Sequence, residues 1–167
     1  MEGWVLENVR VSTVPGKTGR VVLARIRRDT DLVTGIIEVC RQSQIVTGAV
    51  QMAIGSLRKA EISWAIPSDK TKRGSERTPP LPIAGPLEFI TGQGMVCLAD
   101  PDRPVIHFHG VVCDANGKAW GGHFFPGGNP VHSTMDIVVT EIDGAQMSWE
   151  HDPEIDLELP VPKPGNQ

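Results

Sequence analysis

The sequence predicts an α+β fold, a mainly antiparallel β-sheet flanked by helices. Two observations carry this expectation. One amphipathic helical segment stands among many strand-like runs, and short glycine- and proline-bearing turns separate several of those runs, too short for parallel crossovers. With 167 residues, 40% of them hydrophobic and 22% charged, the chain has the size and composition of one globular domain able to enclose a single core. No internal repeat is evident.

Taken in order, Arg20 to Arg27 is apolar and partly alternating, as suits a strand covered on one or both faces. A helix should follow. Asp29 or Thr30 is placed to cap it, and Leu32, Ile36, Val39 and Cys40 recur at helical spacing, with Ile37 widening the stripe. Gly48 ends that element or its exit turn. Strands are then expected over 49–54, 60–66, 87–98, 105–113, 119–125 and 135–142. Gly55-Ser56 lacks the longer glycine pattern of a phosphate-binding loop and reads as a tight structural turn. The last residues, with Pro160, Pro162 and Pro164, have little to pack and are expected to trail as an extended tail.

Composition narrows the function classes. A net charge of −4 argues against a role that neutralises many phosphates, which needs a surplus of Lys and Arg on one surface. A basic cluster does occur at Lys70, Lys72, Arg73 and Arg77, but Gly74, Ser75, Pro79 and Pro80 mark its surroundings as a solvated loop. An aromatic content of 5% leaves few platforms for stacking nucleic-acid bases. Cys40, Cys97 and Cys113 are widely spaced and form no CxxC pair, so they read as buried thiols. The N-terminal residues carry no basic segment followed by a long apolar run. The expectation is therefore a cytoplasmic protein without a secretory signal or membrane span.

Residues 105–125 carry the chemistry. Asn116-Gly117 is a dipeptide favoured where the backbone reaches positive φ, and strand-like segments flank it, so a hairpin is predicted. If Cys113 pairs with Ala119 across the loop, His109 falls directly opposite His123. Side chains alternate along a strand, so His107 shares the face of His109, and all three imidazoles converge. A slip of one residue would send His123 to the other face. A lone strand histidine is more often a hydrogen-bonded core or surface residue. Here three of the chain's five histidines fall within seventeen residues, at positions one hairpin gathers, and metal binding becomes the better reading. Zn2+, or another divalent transition metal, suits three neutral imidazoles with a fourth position open. Gly121 and Gly122, just before the third histidine, allow close backbone approach. Cys113 shares the histidines' parity and is a lesser candidate ligand. Trp120 and Phe124 fall on the opposite face, in the core or a subunit contact.

Three stretches of this sequence resemble the PPC family of plant and prokaryotic proteins, also called DUF296. They are Ala53 to Ala60 (AIGSLRKA), His107-Phe108-His109 followed by Asp114-Ala115-Asn116-Gly117, and Gly121-Gly122-His123. The likeness runs over residues 20–154, leaving 1–19 as an N-terminal extension and 155–167 as a proline-rich tail. The resemblance implies a homotrimer of α+β subunits with a metal held at His107, His109 and His123. It also implies a fold relationship with acetolactate decarboxylase, a zinc enzyme with a three-histidine site, which is an analogy of architecture and not of reaction. Plant relatives join this domain to a DNA-binding AT-hook. No Arg-Gly-Arg-Pro core occurs here.

Two functions are thus in view. One is a metal-dependent lyase or hydrolase acting on a small oxygen-rich substrate, with Glu88 or Asp136 handling protons, or Arg58 or Arg103 steadying an anion. The other is a regulatory or scaffolding protein of the DNA-binding type, for which the acidic balance is unfavourable.

Overall fold

A computed structural model describes residues 9–100 and 103–165. Its elements run β1 (Lys17–Arg27), α1 (Leu32–Gln42), β2 (Gly48–Ser63), β3 (Ala65–Pro67), β4 (Ser75–Arg77), β5 (Leu81–Asp100), β6 (Arg103–Cys113), β7 (Ala119–Phe124), β8 (Val131–Asp143), β9 (Ala145–Asp152) and β10 (Leu157–Pro164). The α+β expectation holds, with α1 the one helix among the described residues. That helix is not long and apolar enough to cross a membrane.

The strands form one sheet in the order β1-β8-β2-β7-β6-β5-β9-β10, and β3 pairs separately with β4. Strand β2 is the hub. It pairs with β8 along its first half, with β5 along both halves, and with β7 at Ile62 and Ser63. Because β5 also pairs with β6, and β6 with β7, the four strands β2, β5, β6 and β7 close on one another as a small barrel. Phe89, Phe108 and Phe124 fill its interior, the first and last in edge contact with ring centres 5.5 Å apart.

Helix α1 packs across β6, β1 and β8. Leu32, Ile36 and Cys40 of the expected stripe are buried, joined by Val33, while Ile37 and Val39 are partly buried against the same core. Gly35 lets the helix approach β1, since a Cβ there would meet Ile26 Cγ2 at 2.8 Å. The cap is Asp31, not Asp29 or Thr30. Its Oδ1 accepts from the Thr34 N–H at 2.9 Å while Oδ2 accepts from the Asn129 N–H at 2.8 Å. Asp29 and Thr30 are occupied in the turn leaving β1, where the Thr30 N–H donates to Arg27 O and Asp29 holds φ 69°.

Three further expectations change. Gly55-Ser56 is not a turn but the middle of β2, where the β8 register shifts and the chains approach closely: a Cβ on Gly55 would meet Thr134 O at 2.1 Å. The basic segment is not all loop, because Ser75–Arg77 pairs with Ala65–Pro67. The proline-rich tail does not trail. Leu157–Pro164 pairs in full register with β9 at the sheet's edge, and Pro160, Pro162 and Pro164 alternate so that their missing N–H groups all fall on the side with no ladder partner. Of the expected N-terminal extension, residues 1–8 lie outside the described residues and Lys17–Gly19 belong to β1.

Candidate metal centre

The β6–β7 hairpin has the register its turn predicts. Cys113 faces Ala119, and His109 faces His123. Asp114 shapes the turn: its Oδ1 accepts from the N–H groups of Asn116 (2.9 Å) and Lys118 (3.1 Å), and its Oδ2 from Trp120 Nε1 (3.0 Å). These bonds hold the carboxyl below its usual pKa, the Trp120 bond contributing most. Gly117 takes φ 77°, the left-handed conformation that glycine adopts most readily.

Alternation does the rest. Phe108 and Phe124 point into the barrel and are fully buried, which turns His107, His109 and His123 to the outer face. On β5, Met95 lies opposite His107 and Gln93 opposite His109. His109 is exposed, His107 half-buried and His123 buried.

One nitrogen from each ring lies within 4.8 Å of the other two. His107 Nε2 and His109 Nε2 are 3.1 Å apart, and His123 Nδ1 is 3.3 Å from the same His109 nitrogen. A ring nitrogen carries one proton or one lone pair, so His109 Nε2 cannot make a full hydrogen bond to both neighbours. A cation at the centre satisfies all three lone pairs together. Nitrogens at tetrahedral positions about 2.0–2.1 Å from zinc stand about 3.3 Å apart, close to the 3.1 and 3.3 Å of the two pairs that include His109.

The surroundings keep these rings neutral, as coordination requires. Burial is the first cause for each histidine, and the Arg77 charge acts on all three. The buried His123 is pushed furthest, from 6.5 to about 3. Aromatic walls flank the cluster. The Phe125 ring lies 4.4 Å from that of His123, and Trp149 stands edge-on to His107 at 6.0 Å.

The other sequence candidates lie elsewhere. Cys113 is not in the cluster, and its Sγ contacts Asp114 O. Asp136 is ion-paired with Arg25, Arg58 with Asp29 and Arg103 with Asp100. Glu88 faces Cys113, at the turn end of the hairpin. Arg77, Phe125 and Trp149 were not singled out for the site by sequence. Arg77 arrives through long-range pairing: Ser63 pairs with His123, Ser63 Oγ donates to Thr78 O, and Arg77 pairs with Ala65. The only local signal was its place in a basic cluster. Gly122 does make a close approach, but to β2, where a Cβ would meet Ser63 O at 2.7 Å.

A rolled antiparallel sheet with one packed helix and a histidine-bearing hairpin defines the class of protein. The chain belongs to the Plants and Prokaryotes Conserved (PCC) domain family, whose model matches residues 14–143. Its likeness to solved structures is one of fold. A metal-containing protein of Archaeoglobus fulgidus superposes with a TM-score of 0.73 at 24% identity, over 90% of this chain and 99% of that one. A plant- and prokaryote-conserved protein of Pyrococcus horikoshii gives 0.69 at 23% identity, over 89% and 97%. Among curated proteins, the bifunctional protein GlmU of a Synechococcus strain is 30% identical over 155 residues, 92% of this chain. The chain spans about a fifth of the length of the curated relatives it matches, 22% and 20%.

Proposed function

We propose that His107, His109 and His123 hold one divalent transition metal ion, zinc in the first instance. In this reading the centre serves a cytoplasmic, homotrimeric lyase or hydrolase acting on a small oxygen-rich substrate, with residues 20–154 as the functional domain. The carrying observation is the convergence of three neutral imidazoles within 4.8 Å, with the two pairs that include His109 at spacings close to those around a tetrahedral metal. Three protein ligands leave a coordination position open, the pattern of catalytic rather than structural zinc.

Such an ion polarises a carbonyl oxygen or lowers the pKa of bound water to about 7. The chain's own residues hold and flank the rings. The Ser63 ladder pairing fixes His123, and Phe125 and Trp149 flank the cluster. Self-association is supported by the outer face of β1, β8 and β2. There Leu23, Val138 and Met52 align across the strands, beside Val21 and Ile54, with Leu23 79% exposed.

The DNA-binding reading draws on plant relatives, on structural neighbours from Bacteroides thetaiotaomicron and Ralstonia eutropha described as putative DNA-binding proteins, and on the basic cluster at Lys70, Lys72, Arg73 and Arg77, but the charge balance of this chain is unfavourable to it. The net charge is −4, Lys72 Nζ and Arg73 Nε donate to Pro153 O and Ser75 O, and Arg77 lies beside the histidines. Metal analysis of untagged protein purified without chelator tests the proposal. About one ion per subunit is expected, abolished by His107→Ala or His123→Ala. Metal-free wild-type protein would overturn it.

A further inference from the structure

Arg77 is a cation without an anion. Arg10, Arg20, Arg25, Arg41, Arg58 and Arg103 each contact a carboxylate, but Arg77 contacts none among the described residues. Its guanidinium carbon lies 5.8 Å from the centre of the Phe125 ring, which itself lies 4.4 Å from His123. A guanidinium over an aromatic face keeps its N–H edge free to donate.

The histidine cluster contains no carboxylate among the described residues. With a divalent ion on three neutral imidazoles, the local charge is two positive at the metal and one at Arg77, and among the described residues neither the cluster nor an ion pair to Arg77 supplies a carboxylate to balance it. Resting on the metal reading above, we propose that the site takes a small oxyanion, one oxygen in the open metal position and another on the Arg77 fork. Carboxylate and phosphate groups both present the paired oxygens that a planar guanidinium matches. Space for the body of such a ligand lies beside His109, in an open groove of about 430 Å³ lined by Thr91, Gln93, Val111 and Gly121. Arg77 thus sets substrate class without being a metal ligand, and burial, the first cause for each ring, remains to keep the imidazoles neutral when Arg77 is replaced.

The test uses the zinc-loaded full chain, with metal content measured in every sample. Pyruvate and inorganic phosphate are titrated calorimetrically at about 0.15 M salt, where distant charges are screened. Wild type should bind at least one probe, and the tighter one identifies the anion class. Arg77→Ala should keep its metal yet bind that probe about tenfold more weakly or worse, the size of a lost charge-assisted hydrogen bond. Arg77→Lys should recover part of the loss, and Arg77→Gln repeats the test with the side-chain stem over Phe125 retained. Metal-loaded wild type that binds neither probe, or Arg77 variants that bind as tightly as wild type, would overturn the inference while leaving the metal centre standing. Wild type without metal would instead remove the centre, and the bridge with it.

Discussion

His109 and His123 face each other across the β6–β7 ladder, with His109 Nε2 3.3 Å from His123 Nδ1. The site depends on that register, because strand side chains change face at every residue. Inserting one glycine between Asn116 and Gly117 should slip β7 by one position and turn His123 away. Metal stoichiometry should fall to near zero while the protein stays folded by circular dichroism. Full retention of metal would show that the turn does not set the geometry.

Asp114 is the turn's anchor, accepting three hydrogen bonds at once. Those bonds lower its pKa in the folded chain, so the stability they contribute is complete above the unfolded value near 3.9. It is lost as pH falls through the lower folded value. Asp114→Asn should therefore lower Tm at neutral pH and show a shallower decline below about pH 4 than wild type. Parallel acid limbs in the two proteins would count against this account.

His123, the most strongly shifted of the three histidines, contributes most to their shared pH response in the metal-free protein. Its unfolded ring protonates near 6.5, but burial and the Arg77 charge keep the folded ring neutral down to about 3. Between those values the unfolded state binds the extra proton. Stability should then fall as pH drops from about 6.5, by up to about 1.4 kcal/mol per pH unit for this one group. Denaturant midpoints of chelator-treated protein at pH 7.5, 6 and 5 measure it. His123→Phe should flatten the slope, and an unchanged slope would assign the effect elsewhere.

What sequence made legible here is local. The turn, the alternation of His107, Phe108 and His109, and the helical stripe ending at Cys40 are short-range patterns, and each is found as expected. What it hid is long-range. The β3–β4 pairing that carries Arg77 to the site joins segments with no shared periodicity, inside a stretch rich in Gly and Pro. The tail reads as unpaired because proline argues against central strands, and the sheet order makes β10 an edge. The cap moved from Asp29 or Thr30 to Asp31 because the turn after β1, bridged by Asp29 to Val131, uses up the earlier residues.

Leu23 should mark the subunit contact of the proposed trimer. It is 79% exposed, in line with Val138 and Met52 across three strands. Charge at so exposed a position should change the subunit's own stability by no more than about 0.5 kcal/mol. Leu23→Glu should thus shift the sedimenting species from trimer to monomer without unfolding it. An unchanged mass would move the contact to another face.

The two glycines before His123 should behave in opposite ways. A Cβ on Gly122 would meet the backbone oxygen of Ser63 at 2.7 Å, and a carbonyl in a ladder has little room to yield. A Cβ on Gly121 would meet Val111 Cγ2 at 3.4 Å and Gly110 O at 3.5 Å, ordinary contacts over the open groove. Gly122→Ala should push β7 from β2 at the pairing of His123 with Ser63, costing about 1–3 kcal/mol as overpacking does. Because that pairing also fixes the third imidazole, metal affinity should fall with stability. Gly121→Ala should leave both near wild type. Equal losses in the two variants would mean that the hairpin needs glycine for its own conformation, and that closure against β2 does not position His123.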